Sequence, residues 1–269
     1  MINRNTLSVP RAVLERWSRG WILRRRLPTR FGSRPIWVTP DARLRFLKWG
    51  EAAFDQELLG YVESFVKPGN TVWDIGANVG EFTIAAAHRA VNGRVLAVEA
   101  DPVLAGLLQR SLNESRNSDL SVDLLCAAVA DHGGIGRFRI AARGRAANAL
   151  EGLEGSTQMG GARLCAFVAL VTLDDLLVQS GDPAVVKIDV EGAEMLVLQG
   201  GKALLTKVRP LLVVEVSSTN RTEVAAQLQR ADYALFDAET SISAGEIDVC
   251  AFNTLAVPRE KLAVLFSSA

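Results

Sequence analysis

The sequence predicts an α/β protein built on a doubly wound, mostly parallel sheet, and three observations carry that prediction. Short apolar stretches alternate with amphipathic stretches of helical length from about Thr71 onward, the rhythm of right-handed strand–helix–strand crossovers. The first of these strands ends in an acid and runs directly into a turn with two glycines, TVWDIGANVGEFT (Thr71 to Thr83). Two later strands also end in acids, one at Glu99 and one within KIDVEGAE (Lys187 to Glu194), and in an open α/β sheet such carboxyl ends face the ligand crevice.

The elements follow in order. Near the start, Val13, Trp17 and Trp21 recur at i, i+4 and i+8 beside Leu14 and Ile22, which predicts one apolar stripe on a helix bounded by Pro10 and Pro28. Phe54 to Phe65 has helical spacing, and Pro68-Gly69 ends it. A strand around Val72-Trp73 enters the glycine turn, and the alanine-rich run Phe82 to Ala90 follows as a helix. Arg94 to Val98 predicts the next strand, closed by Glu99, and Pro102 stands in the first turn of a helix reaching about Asn113. A third strand covers Val122 to Val129.

The pattern resumes with a strand at Ala184 to Ile188, a helix from Ala193 to Leu205, a strand at Leu211 to Val216 and a helix from Glu223 to Ala231. Late strands near Ala234-Phe236 and Phe252-Val257 predict a hairpin-like antiparallel edge. Between about residues 130 and 183 the rhythm breaks. That insertion holds predicted strands at Arg137 to Ala141 and Leu164 to Leu170 around the glycine-rich GRAANALEGLEGSTQMGG, and long irregular segments of this kind form binding walls or lids, or passive surface. The organisation expected is a basic N-terminal arm and lead-in over residues 1–50 and a single domain over 51–269, with the insertion inside it.

Composition bounds the function classes. A chain of 269 residues with 49% apolar and 22% charged residues can bury a full core without metals or disulfides. Cys126, Cys165 and Cys250 stand far apart, so free thiols in a reducing, cytoplasmic setting are expected and no metal site is. No apolar run approaches the ~20 residues of a membrane span, and the first residues lack the apolar core of a secretory leader. Residues 1–30 carry eight arginines against Glu15, so an acidic body balances them to zero net charge. A docked helix or a membrane-surface contact through the arm both fit that charge, whereas the acidic body opposes nucleic acid.

The glycine turn constrains the ligand. A dinucleotide fingerprint needs a third glycine where Asp74 stands, and an acid there repels a pyrophosphate on the helix N-terminus. Glu99 is placed to accept hydrogen bonds from both hydroxyls of a ribose. An adenosine with a cationic amino-acid tail satisfies both acids, and S-adenosylmethionine is such a molecule. Alone, Asp74 could equally cap the helix and Glu99 could be an exposed strand end.

The fourth strand supplies the chemistry. An alcohol attacking a sulfonium methyl needs alignment and a base, and Asp189, Glu191 and then Glu215 are the candidates in that order. Glu194 is expected to serve the helix N-terminus, and Lys187 to pair with one of these acids. Asp189 and Glu191 also resemble half of a magnesium site, but a carboxylate cluster alone assigns no metal. His88 is expected to pack or lie at the surface, and His132 to make a loop hydrogen bond unless it reaches the substrate.

VWDIGANVGEFT, VLAVEADP, VVKIDVEGAEMLVLQGG, LLVVEV and FNTLAVP, in this order over residues 54–258, closely resemble the FkbM family of S-adenosylmethionine-dependent methyltransferases. The resemblance implies a Rossmann-like class I methyltransferase fold of seven strands, the last antiparallel, and O-methylation of a saccharide, glycan or secondary-metabolite hydroxyl. It carries the cofactor turn onto Asp74, Gly76, Ala77, Asn78 and Gly80, and the ribose acid onto Glu99. Adenine contacts then fall on Ala100 or Asp101 and on Ala127 to Val129, centred on Ala128. A nicotinamide-dependent oxidoreductase is disfavoured by Asp74, and a non-catalytic cofactor-binding interaction module remains the alternative of another class.

Overall fold

The computed structural model describes residues 11–142, 144–151, 161–240 and 244–263. In chain order it begins with helix α1 (Arg11–Trp17) and the antiparallel pair β1 (Leu23–Arg26) and β2 (Pro35–Val38). Then come α2 (Gln56–Phe65), β3 (Thr71–Ile75), α3 (Glu81–Arg89), β4 (Arg94–Val98), α4 (Pro102–Leu112) and β5 (Val122–Leu125). The insertion provides β6 (Ala128–Val129), β7 (Gly134–Ala141), β8 (Ala149–Leu150) and β9 (Ala162–Val171), followed by α5 (Leu173–Ser180). The chain closes with β10 (Val185–Ile188), α6 (Glu194–Gln199), β11 (Leu211–Glu215), α7 (Arg221–Arg230), β12 (Tyr233–Asp237) and β13 (Asn253–Pro258).

Seven strands form the main sheet in the order β12-β13-β11-β10-β3-β4-β5. The last strand, β13, inserts antiparallel between β11 and β12, so β12 at the edge runs with the parallel strands. β3 connects to β4 on one side while β10 pairs with it on the other; this reversal of winding is the switch point at which an open sheet splits and leaves a crevice. The central strand β10 is buried along its whole length, as a strand covered by helices on both faces must be.

Local chemistry explains most boundaries. Asp101 caps α4 by accepting from the Val103 amide at 2.9 Å, with Pro102 in the first turn. Thr172 and Asp175 form a capping box at the start of α5. α5 lies in the segment that the sequence assigns only to strands and loop.

Three expectations need correction. The N-terminal helix does not run to Pro28: it stops at Trp17, Gly20 adopts φ 82°, and Leu23–Arg26 pairs as β1 with β2. The third strand is broken at Cys126-Ala127, and Ala128–Val129 leaves the main sheet to pair with β9. The helix expected to reach Leu205 stops at Gln199, where Gly200 packs so closely on the Ala130 carbonyl that a side chain there would overlap it.

Two apolar layers cover the sheet. One lies under α2, α3 and α4, and it includes Leu27, Phe31, Ile36, Val38 and Phe46 from the lead-in. The other lies under α5, α6 and α7. The lead-in after about Leu23 therefore seals one face of the sheet. Among the described residues before it, Trp17 is 78% exposed and stands away from the core. Among the described residues no helix is long and apolar enough to cross a membrane.

Because Phe31 is fully buried in this layer, Phe31→Ala is expected to destabilise the domain by about 3–5 kcal/mol, read from chemical denaturation. A loss under about 1 kcal/mol would mean that the lead-in is peripheral.

Candidate active site

The floor of the crevice is a buried ion cluster. Asp74, in register with Lys187 across the β3–β10 pair, is fully buried. It accepts from the Thr83 hydroxyl at 2.6 Å and lies 3.1 Å from Lys187 Nζ. The same ammonium donates to the Gly76 carbonyl at 2.7 Å and sits 3.3 Å from Asp189. Burial opposes the charge of Lys187, but Asp74 and Asp189 more than compensate and hold its pKa above the usual lysine value. Lys187 thus pairs with acids, as the sequence suggests. Asp74 points into the cluster and α3, below the turn, and does not line the crevice.

The turn itself is shaped for close approach. Gly76 has φ 78°, and a Cβ there would overlap the Asp189 carbonyl. At Gly80, with φ 91°, a Cβ would collide with Leu108. The turn's amides are all spent internally. Gly76 and Ala77 donate to Val98, Asn78 donates to Glu99, Val79 to the Asn78 side chain and Gly80 to Ala77. With the amides of residues 76–80 all engaged, this stretch is not an anion cradle of the kind that holds pyrophosphate. Gly76 and Asn78 line the crevice, whereas Ala77 is buried and Gly80 packs on α4.

Glu99 closes β4 and lines the crevice. Its two carboxylate oxygens accept from the amides of Asn78 and Asp101, each at 2.7 Å, so the carboxylate is fixed with lone pairs left for two further donors. Ala100 and Ala127 to Val129 line the same wall. Asp101 does not: it is fully buried, caps α4, and accepts from Asn148 at 2.8 Å and from Arg145. Arg145 also bonds Asp41 at 3.1 Å, and Arg163 does so at 2.5 Å. These bonds draw the insertion onto the lead-in, and Phe138, Asn148 and Leu150 become the crevice's outer wall. The crevice takes in about 750 Å³ of space, open solvent at its mouth included.

At the other end stand Asp189, Glu191 and Glu215, brought together from the ends of β10 and β11. Arg43 reaches between them from the lead-in, 3.5 Å from Asp189 and 3.5 Å from Asp55. Burial, reinforced by Asp189, pushes the Glu191 carboxyl up to about 7 and the Glu215 carboxyl up to about 8, with Arg43 working against both shifts. Glu194 is engaged elsewhere. Its carboxylate takes the Gly192 and Ser217 amides and Asn220, stapling the start of α6 to the loop after β11. His88 packs against Gly32 and Arg34, and His132 is exposed beside Asp131 at 2.7 Å.

Arg43 and Arg145 are the site residues that sequence reasoning misses. Both lie in segments without periodicity, and for Arg43 the signal available was an arginine in a stretch that the apolar residues of the lead-in anchor to the body.

Two buried and two half-buried carboxyls titrate upward, each chiefly through desolvation: Glu81, Glu99 and Glu191 to about 7 and Glu215 to about 8. Between about 4.5 and 8 the folded chain then holds carboxyl protons that the unfolded chain releases, so stability falls as pH rises through that window, the four carboxyls outweighing the single opposite contribution of His88, whose pKa burial lowers. Glu114 and Glu260, held at about 2 by their arginines, titrate below it. The melting temperature of the protein alone is expected to drop between about pH 5 and about pH 8.5, and Glu215→Gln to flatten the upper part of that drop. A rising melting temperature over this range would contradict the assignment.

The chain matches the family model described as Methyltransferase FkbM domain over residues 74–240. No curated protein matches it. Among solved structures it is similar to a precorrin-6y C5,15-methyltransferase from Geobacter metallireducens GS-15, with 19% identity over 75% of this chain and 86% of that one, at a TM-score of 0.44. It is similar as well to fibrillarin from Aeropyrum pernix, solved with natively bound S-adenosyl-L-methionine, with 13% identity over 74% of this chain and 66% of that one, at a TM-score of 0.39. The family's methyl donor is S-adenosylmethionine. With its matched segment running through most of the sheet and past the acids at the ends of β10 and β11, the chain belongs to the FkbM family of methyltransferases.

Proposed function

We propose that the protein methylates a hydroxyl oxygen on a saccharide, glycan or secondary-metabolite acceptor. The observation that carries this reading is the set of three carboxylates, Asp189, Glu191 and Glu215, on one wall of the crevice, two of them with pKa values raised to about 7 and about 8. A carboxylate near neutrality is a competent base for an alcohol.

The donor fits the residues present. Glu99 has lone pairs for both ribose hydroxyls, and Ala100 with Ala128 offers a flat apolar surface for a purine. Asn78 and Gly76 lie where the amino-acid end would run. The bound donor supplies an electrophilic methyl and leaves as a neutral thioether. The chain orients the acceptor hydroxyl in line with that methyl and takes its proton on a carboxylate at the Asp189–Glu215 wall. Arg43 and Lys187 both pair with Asp189, 3.5 Å and 3.3 Å away, and fix its place on that wall. A general base of this kind contributes about 10²- to 10⁴-fold.

Isothermal titration is expected to show S-adenosylhomocysteine binding at micromolar strength and no NAD binding. Asp189→Ala is expected to keep that binding within about threefold while methyl transfer to a hydroxyl acceptor falls at least about 10²-fold. NAD binding alone, or full transfer by the variant, would contradict the reading.

A second reading concerns location. Cys126 and Cys165 are free and exposed, which suits a reducing compartment such as the cytoplasm. The segment before β1 exposes Val13, Trp17, Trp21 and Ile22 beside exposed Arg16 and Arg19, a combination suited to contact with an anionic membrane surface. Sedimentation with vesicles containing anionic phospholipid is expected to carry the protein down at low salt, and Trp17→Ala with Trp21→Ala to abolish this. Equal sedimentation with and without the tryptophans would sink the idea.

A further inference from the structure

Behind the acidic wall lies a second cavity of about 680 Å³, part of it open, bounded by the ends of β10 and β11, the start of α2 and the start of β13. It shares Arg43, Asp189 and Glu215 with the first crevice. A molecule occupying it therefore presents its nearest atoms to the same carboxylates that face the donor.

The charges of this cavity are not balanced. Arg45 is 2.6 Å from Asp55, Arg43 is spent on Asp55 and Asp189, and Lys187 on Asp74 and Asp189. Three further carboxylates, Glu57, Glu215 and Glu239, line the cavity with no cation within 4 Å among the described residues. Asn253 donates to Glu239 at 2.8 Å and fixes it in place.

A separate observation points to a ligand. Tyr61 is 8% exposed, lines the cavity, and its hydroxyl has no hydrogen-bond partner. An unpaired buried hydroxyl costs about 1–3 kcal/mol, a cost that a bound hydroxyl or amine removes. Phe252, 45% exposed on the same lining, gives an apolar face on which a ring can stack its C–H side. An anionic acceptor finds no free arginine here, and it meets Glu57 and Glu239 at like charge.

We infer that this cavity is the acceptor site and that its acceptor is a polyhydroxylated molecule carrying a protonated amine. The amine sits between Glu57 and Glu239, a hydroxyl bonds Tyr61, and the reacting hydroxyl faces Asp189 and Glu215. This deepens the O-methyltransferase reading and rests on it.

The test uses the full chain loaded with S-adenosylhomocysteine and three probes: D-glucosamine, N-acetyl-D-glucosamine and D-glucuronate, followed by saturation-transfer NMR. Titration of S-adenosylhomocysteine comes first, and if it fails to bind, the methyltransferase site itself falls. Glucosamine is expected to bind about fivefold or more tightly than its N-acetyl form, the size two exposed carboxylates supply. Glucuronate is expected to give no signal. Glu57→Gln combined with Glu239→Gln should bring the amine's advantage within about twofold, and Tyr61→Phe should weaken both neutral and cationic sugars. With S-adenosylhomocysteine bound, silence from all three sugars, equal binding of amine and amide, preference for glucuronate, or an advantage that survives the double variant would each overturn this inference alone.

Discussion

The arrangement depends on one buried ammonium. Lys187 Nζ joins Asp74 under the first turn, the carbonyl of Gly76 within it and Asp189 at the end of β10. Removing Lys187 would leave the fully buried Asp74 carboxylate without its cation, a change that costs about 3–5 kcal/mol. Through Asp74 the cluster reaches Thr83 and so the first turn of α3. Through Gly76 it presses the turn against the Asp189 backbone, leaving no room for a side chain. The turn in turn presents the Asn78 amide to Glu99 and fixes the carboxylate that the proposed donor pose sets at the ribose. Donor side and acid wall are thus set by the same cation.

Around this floor the walls come from segments outside the regular sheet. The insertion closes one side because Arg145 spans Asp41 and Asp101, two acids from opposite ends of the N-terminal half. The lead-in closes the other because its apolar residues belong to the main core and carry Arg43 with them. A cleft built this way separates two tasks. In the proposed function the donor's position falls to the strand ends, whereas loops and the second small sheet of β6, β9, β7 and β8 shape the outer wall of the crevice.

The parts of this that could be read in the sequence are those governed by periodicity. Strand and helix alternation from β3 to β5 and from β10 to β13 follows apolar spacing, and the acids at the strand ends follow from topology. What escaped depends on partners distant in the chain. Asp74 and Asp101 looked like cleft residues because each sits beside the glycine turn or the ribose acid. Their carboxylates are instead taken by Lys187 and by Arg145 with Asn148. The tryptophan spacing of the arm suggested one short helix between Pro10 and Pro28, but Arg24 to Arg26 gain ladder hydrogen bonds to β2 and the helix stops seven residues in. No local rule could show Arg43 among four acids, since it comes from a loop held by packing.

The most direct test of the account is a crystal structure of the complex with S-adenosylhomocysteine. The account predicts both ribose hydroxyls on the Glu99 carboxylate, the adenine against Ala100 and Ala128, and the sulfur facing the wall of Asp189 and Glu215 beside Arg43. A nucleoside turned the other way, with its adenine among those acids and Glu99 untouched, would contradict it.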